Sequence, residues 1–84
     1  MVGVRQQKQL DDKATLVRVL DHYWRMYGYS PTVRELTSRA GLSSTSMTAT
    51  RLRALRESGF VNYTDNTPRT ARLTSEGRRV YGIN

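Results

Sequence analysis

Cysteine is absent from this 84-residue chain, and histidine occurs only once, as His22. The lack of thiols excludes disulfide bonds and thiolate metal sites, and a single histidine cannot supply a metal-binding set. The seven carboxylates are spread along the chain and form neither a convergent pair nor a base beside a nucleophile. We therefore predict no catalytic residue, no metal, no cofactor and no small-molecule ligand, and we expect His22 on the surface of a helix.

Long apolar runs are also missing. No stretch approaches the roughly 18 consecutive apolar residues of a membrane span, and the N-terminal residues lack the apolar core of a signal peptide. The sequence has no internal repeat and no low-complexity linker that would divide it. Because the length fits one domain, these features predict a single soluble domain in the cytoplasm.

Acidic residues are scarce compared with basic ones. The chain has 14 Lys and Arg against seven Asp and Glu, a net charge of +7, and 12 of the 14 cations are Arg. Guanidinium groups form forked hydrogen bonds with phosphate oxygens and with the guanine edge, so this excess favours a nucleic acid partner and a nucleoid-associated location. The alternative is a basic surface that only keeps the protein soluble.

The hydrophobic pattern first predicts a long helix. Residues 1–10 are polar and basic without a clear period, and they are interpreted as a flexible basic arm before a domain of residues 11–84. Helix 1 is predicted from an N-cap at Asp11 or Asp12 to about Tyr27, and Gly28 can adopt the left-handed conformation that ends it. Its apolar residues recur at helical spacing, and the aromatic residues around them are expected in the core: Leu16, Val17, Leu20, Tyr23, Trp24, Tyr27 and Tyr29.

Two shorter helices are predicted next. Thr32 and Glu35 fit a capping box at the start of helix 2, which ends at Gly41. Ser44 is the candidate N-cap of helix 3, which is predicted over about residues 45–58 and ends before Gly59. The residues expected to face the core are Val33, Leu36 and Ala40 of helix 2 and Thr48, Leu52 and Leu55 of helix 3.

The remaining residues predict a hairpin and a final short helix. Residues 60–63 and 69–73 read as strands on either side of a turn-rich segment, and Thr74 can cap a helix that reaches about Tyr81. Gly77 weakens this last helix because glycine is a poor helix former. The predicted fold is therefore mainly α with a small β-hairpin: a winged helix-turn-helix with three helices, a two-stranded wing and a short C-terminal helix.

Particular residues from helix 1 through the hairpin, over roughly residues 14–73, resemble the DNA-binding domain of the LexA repressor family. They are Gly28-Tyr29-Ser30-Pro31-Thr32, Glu35-Leu36, Gly41-Leu42, Ser44, Leu52, Ala54-Leu55, Gly59, Phe60-Val61, Arg69, Arg72 and Leu73. The segment from Leu73 to Arg78 is also similar to MarR-type regulators. The resemblance implies a transcription regulator, in the first place a repressor, that reads the major groove of double-stranded DNA with helix 3.

LexA proteins carry a second domain that dimerises and cuts its own chain, and no part of this sequence resembles that domain. Autoproteolysis is therefore not expected here, and the protein is predicted not to be an enzyme. A second copy bound at an adjacent half-site is a further predicted partner.

Transferred position by position, the resemblance implies that Ser46, Met47, Ala49 and Thr50 face bases, with Ser44 beside a phosphate. Independently, a helical wheel directs Ser46, Thr50 and Arg53 away from the core. The wing and neighbouring arginines are expected to contact the DNA backbone. The complete set of predicted DNA-binding residues is Ser44, Ser46, Met47, Ala49, Thr50, Arg53, Arg69, Arg72, Arg34 and Arg51.

Other interpretations of these residues remain open at this stage. The hydroxyls at the start of helix 3 can cap their own backbone, Met47 can pack against helix 2, and the arginines of helix 3 can form a solvated face. The fold also serves phage or plasmid factors that bend DNA for recombination, and winged helices that dock onto proteins.

Overall fold

The computed structural model describes the backbone of residues 2–83 and the side chains of residues 12–83. The elements in chain order are α1 (Val2–Tyr27), α2 (Val33–Ala40), α3 (Thr45–Glu57), β1 (Val61–Asn62), β2 (Arg72–Leu73) and α4 (Ser75–Val80). This order confirms the predicted architecture of three helices, a hairpin and a C-terminal helix. Among the described residues, no helix has both the length and the apolar character needed to cross a membrane.

The start of α1 differs from the prediction. The helix begins at Val2 and not at Asp11 or Asp12, so residues 2–10 continue it. Gln, Lys, Arg and Leu predominate there and are good helix formers, which explains why the polar composition does not end the helix. The interpretation of residues 1–10 as a flexible basic arm before the domain stays a prediction, and the side chains of these residues lie outside the described part.

The core lies where α1, α2 and α3 meet the hairpin. Its buried residues are Leu16, Val17 and Leu20 of α1, Leu36 of α2, Leu52 and Leu55 of α3, Val61 of β1 and Ala71 before β2. Burying one such leucine contributes about 1.5–3 kcal/mol, so this cluster is the main source of stability and confirms the predicted inward positions of α3. His22 is exposed on α1, as predicted.

The helix-turn-helix formed by α2 and α3 has the predicted caps. The Thr32 hydroxyl accepts from the Glu35 N–H, and the Glu35 carboxylate accepts from the Thr32 N–H, which completes the capping box. Gly41 ends α2 with a φ of 71°, and the Ser44 hydroxyl caps α3 by accepting from the Met47 N–H at 3.1 Å. These caps define the tight turn between the two helices.

A buried hydroxyl pair joins α2 to α3. The Oγ1 atoms of Thr37 and Thr48 lie 2.6 Å apart, and Thr37 donates to the carbonyl of Val33 at 2.7 Å. Thr37 uses its one proton for the close Val33 carbonyl, whereas the other acceptor of Thr48, the Ser44 carbonyl, is 3.4 Å away, so Thr48 is assigned as the donor to Thr37. The pair satisfies two polar groups inside the core and links the helices at one point.

The wing, which we define as residues 61–73, has shorter strands than predicted. Only Val61 with Leu73 and Asn62 with Arg72 are paired. Beyond these two pairs, the Thr70 side chain takes the place of backbone hydrogen bonds between the strands. Its hydroxyl accepts from the Thr64 N–H at 2.9 Å and donates to the Thr67 carbonyl at 3.0 Å. The predicted strands over 60–63 and 69–73 therefore narrow to two residues each.

Two predictions about apolar side chains are wrong. Tyr27 and Tyr29 are 42% and 47% exposed, because they lie beyond the end of the core and pack mainly on each other and on Tyr23. Val33 is 41% exposed, because it is the first residue of α2 and faces the wing. Of the four aromatic residues expected in the core, Tyr23 is buried and Trp24 is half-buried.

Candidate DNA-binding surface

The outer face of α3 carries short polar side chains and one cation. Ser46, Thr50 and Arg53 are exposed, and none of their side chains has a hydrogen-bond or ion-pair partner among the described residues. The self-capping interpretation therefore applies to Ser44, whereas the buried Thr48 bonds to Thr37 of α2, and among the described residues neither Ser46 nor Thr50 caps the helix. This face has free donors, free acceptors and a positive charge, which suit contact with base edges and phosphates.

One flank of α3 turns towards α1. Met47 is half-buried, and Arg51, one turn later, has a side chain only 18% exposed, with a guanidinium nitrogen 3.8 Å from the Asp12 carboxylate. The Nε atom of Arg51 is buried without a hydrogen bond. Arg51 was predicted as a DNA-binding residue, but the structure directs its charge towards α1 and not onto the exposed face.

The other flank of α3 faces a groove beside the wing. This groove, a cavity of about 440 Å³, lies between Ala49 and Leu52 of α3, Val33 of α2, and wing residues 63–71. Ala49 therefore faces the groove and not the outer face of the helix. Arg53 follows Ala49 by one helical turn. Its guanidinium, unpaired among the described residues, therefore lies on the side of the exposed face that is next to the groove.

Arg34 is a second free cation. It is exposed in the first turn of α2 and has neither an ion pair nor a hydrogen bond among the residues whose side chains are described. The helix N-terminus adds partial positive charge close to it. Among the described residues, Arg34 and Arg53 are thus the two arginines of the predicted set with no ion pair, hydrogen bond or ring contact.

Arg69, predicted as the wing's backbone contact, is engaged within the protein. Its guanidinium lies 3.1 Å from the Glu35 carboxylate, donates to the Ser30 carbonyl at 3.0 Å and stacks 5.0 Å from the centre of the Tyr29 ring. The backbone N–H of Thr32, with further help from Arg69 and Tyr23, lowers the pKa of Glu35 from 4.5 to about 2. Glu35 is therefore ionised at neutral pH and compensates the charge of Arg69.

Arg72 points in a different direction from Arg69. Its guanidinium stacks on Trp24 of α1, 4.5 Å from the ring centre, and it lines a separate cavity of about 160 Å³ with Asp21, Arg25 and Arg78. The groove beside α3 does not include Arg72. Arg69 and Arg72 therefore do not form one cationic row along the wing.

Three contacts that hold the wing were missed by the sequence reasoning. The buried Ser30 hydroxyl donates to the Ala71 carbonyl and accepts from the Trp24 indole N–H at 2.9 Å. At the other side of the wing, Arg56 of α3 stacks on Tyr63 and donates to the Asp65 carboxylate at 2.9 Å. The third contact is Glu35 with Arg69. Rules that act within one helix or turn do not reveal such contacts, because the partners belong to different elements and meet only when the chain folds.

The helix-turn-helix of α2 and α3, with a hairpin beside α3, defines the class of this domain as a winged helix-turn-helix. A family model for the LexA DNA binding domain matches residues 5–70. The chain therefore belongs to the LexA DNA-binding domain family, which confirms the resemblance drawn from its residues.

LexA repressors of several bacteria are similar to this chain in sequence. The LexA repressor of Limosilactobacillus reuteri (strain DSM 20016) is 40% identical over 57 residues, which are 68% of this chain and 27% of that protein. The LexA repressor of Lacticaseibacillus casei (strain BL23) is 42% identical over 57 residues, with the same shares. The LexA repressor of Thermobifida fusca is 34% identical over 59 residues, 70% of this chain and 23% of that protein. The chain thus spans about a quarter of the length of these relatives.

Proposed function

We propose that this protein binds double-stranded DNA in a sequence-specific manner and regulates transcription as a repressor that occupies its site. The observation that supports this proposal most directly is the outer face of α3. Ser46, Thr50 and Arg53 project from the second helix of a helix-turn-helix and have no partner within the described part of the protein. In this class of domain, that helix enters the major groove.

The remaining residues suggest how the contacts are divided. Ser46, Thr50 and, at its border, Met47 are proposed to read bases, because hydroxyls form adaptable hydrogen bonds and a thioether can contact a thymine methyl group. Arg53 and Arg34 are proposed to contact phosphates, because their charges are uncompensated. Ala49, facing the groove, is proposed to allow the DNA backbone to approach closely. The net charge of +7 adds a non-specific attraction to DNA.

The test is selection of bound sites from a pool of random duplexes, followed by footprinting of the selected sequence. We expect enrichment of a defined sequence and protection limited to it. Failure to bind any duplex at low salt would contradict the proposal and would favour a protein-docking role. Strong bending of the selected duplex would instead favour an architectural role in recombination.

Assembly is proposed to occur on DNA, with two copies occupying adjacent half-sites. Sedimentation of the free protein is expected to show a monomer at low micromolar concentration, and sedimentation with a palindromic selected site is expected to show two copies bound. A stable dimer without DNA would contradict this order of assembly.

A further inference from the structure

The Glu35 carboxylate joins three separate parts of the chain. The Thr32 N–H donates to Oε1 at 2.9 Å, and the Tyr23 hydroxyl of α1 donates to the same atom at 3.1 Å. Arg69 of the wing approaches both oxygens, with Nη1 3.1 Å from Oε1 and Nη2 3.1 Å from Oε2. Oε1 therefore contacts groups from all three parts, whereas Oε2 accepts from Arg69.

Arg69 combines its contact with Glu35 with an unusual backbone conformation. Its φ is 62°, in the left-handed region that residues with a Cβ rarely adopt. Strain of this kind persists only where surrounding contacts hold it. Here the contacts are the bidentate pair with Glu35, the bond to the Ser30 carbonyl and the stacking on Tyr29.

The wing residues next to Arg69 form one wall of the groove beside α3. On the far side of the hairpin, Arg56 secures the wing to α3 through Asp65 and Tyr63. Glu35 secures it to the start of α2. These two attachments, one from each helix of the helix-turn-helix, therefore act with the Ser30–Ala71 bond to set the width of the groove between the wing and α3.

We propose that Glu35 and Arg69 form a clamp that sets the position of the wing relative to α3, so that Arg69 is a positioning residue and not a phosphate contact. The inference rests on the proposed DNA binding for its effect on affinity, but the clamp itself concerns the free protein. The Glu35 carboxylate compensates the charge of Arg69, and Glu35 and the Ser30 carbonyl already occupy donors on both terminal nitrogens, so a phosphate would have to compete with them.

Two conservative variants separate positioning from direct contact. Glu35→Gln keeps the capping bond to Thr32, since Gln also completes a capping box, but removes the charge that holds Arg69. Arg69→Lys keeps the positive charge but loses the fork that engages both oxygens of Glu35 and the Ser30 carbonyl. Circular dichroism and thermal melting establish that both variants remain folded.

In the free protein, both variants should increase amide hydrogen exchange in wing residues 63–71 and leave α1 and α3 protected. With a mixed-sequence duplex, both should weaken binding by about threefold to tenfold without changing the salt dependence of the affinity. The double variant should lose no more than either single one, because the same contact is removed. Unchanged exchange in the wing would overturn the clamp.

A direct phosphate contact predicts the opposite pattern. Arg69→Lys would then bind nearly as well as the wild type, and Glu35→Gln would bind more tightly because a carboxylate that competes for Arg69 has gone. Either result would overturn the positioning role. Glu57→Gln is the charge control: it removes an exposed carboxylate near the end of α3 and should bind duplex as well as the wild type or better.

Arg53→Ala is the control for a real phosphate contact and should lower the salt slope by about one. It also distinguishes the two proposals. If neither the wild type nor any variant bound duplex, the proposed function would fail, while the exchange data would still decide whether Glu35 and Arg69 hold the wing.

Discussion

The outer face of α3 and the wing lie on either side of the groove that Ala49 lines, but their polar side chains are used differently. On α3, Ser46, Thr50 and Arg53 have no partner within the described residues. In the wing, Asp65 and Arg69 are bonded to α3 and α2 respectively. The helix thus offers free groups for recognition, whereas the wing is held in place by its own polar groups. A basic residue in a DNA-binding domain is therefore not, by its presence, a DNA contact.

The largest expected effect comes from removing the free groups of α3. Replacing Ser46, Met47 and Thr50 together with Ala should cost about 1–3 kcal/mol per lost base contact on the selected site. Binding to a mixed-sequence duplex should change little, because the phosphate contacts remain. Competition between the two duplexes measures this ratio. If the triple variant kept its preference, recognition would have to come from the wing, residues 1–10 or DNA shape.

The second prediction concerns the packing of α4 against the residue that precedes β1. A Cβ built on Gly77 of α4 would lie 2.1 Å from the Phe60 carbonyl oxygen, just before β1. Gly77→Ala should therefore destabilise the fold by about 3 kcal/mol, at the upper end of overpacking costs, because a backbone atom cannot move aside easily. Chemical denaturation measures the loss. Ser75→Ala, an exposed change in the same helix, should stay within about 0.5 kcal/mol.

Gly77 also shows what a sequence pattern can and cannot predict. From the sequence alone, Gly77 predicts only a weaker helix. In the structure, glycine is needed there because the backbone of Phe60, 17 positions earlier, comes very close. In the same way, Glu35 was correctly predicted as a capping residue, because the capping box is local. Its bonds to Tyr23 and Arg69 were not predicted, because they form only after the chain has folded.

The fold was more accessible to prediction than the site. Rules that act within a few residues were enough to predict the helix ends and the inward face of α3. The helix ends are the N-caps at Thr32, Ser44 and Thr74 and the C-terminal glycines Gly28 and Gly41. The candidate DNA contacts could not be predicted in this way, because they require cations that have no partner within the protein. Tertiary packing brings carboxylates and aromatic rings close to some arginines, as it does for Arg51 with Asp12 and for Arg72 with Trp24.

A third prediction tests the link between the two helices of the helix-turn-helix. Thr37→Val removes the acceptor of Thr48 and the donor to the Val33 carbonyl, whereas Thr48→Val leaves the bond from Thr37 to Val33 intact. Thr37→Val should therefore cost more, about 1–2 kcal/mol, and Thr48→Val about 1 kcal/mol. Thermal or chemical unfolding of the single and double variants measures the coupling. Strictly additive losses would show that the hydroxyl pair contributes nothing.

A fourth prediction compares a free arginine with a paired one. Arg34 has no partner among the described residues, whereas Arg79 is paired with Glu76 on α4. Arg34→Ala should lower the salt slope of duplex binding by about one, and Arg79→Ala should leave it unchanged. Titrations at several salt concentrations measure both slopes. Equal slopes for Arg34→Ala and the wild type would remove Arg34 from the set of proposed phosphate contacts.

The smallest expected effect concerns the charge that holds the wing. The pKa of Glu35 is lowered from 4.5 to about 2 in the folded protein, so its ionised form stabilises the fold fully above about pH 4.5. That contribution is lost as the pH falls towards 2, because the folded state then also binds the proton. The wild type should therefore melt at a slightly higher temperature than Glu35→Gln at neutral pH, and the gap should close in acid. The gap is expected to be small because the pair is exposed and screened by solvent.

Added salt should narrow the difference in melting temperature at neutral pH, and Glu57→Gln is the control for a general loss of negative charge. A gap of the same size at neutral and acidic pH would mean that the charge of Glu35 does not stabilise the wing, and the clamp would then depend on hydrogen-bond geometry alone.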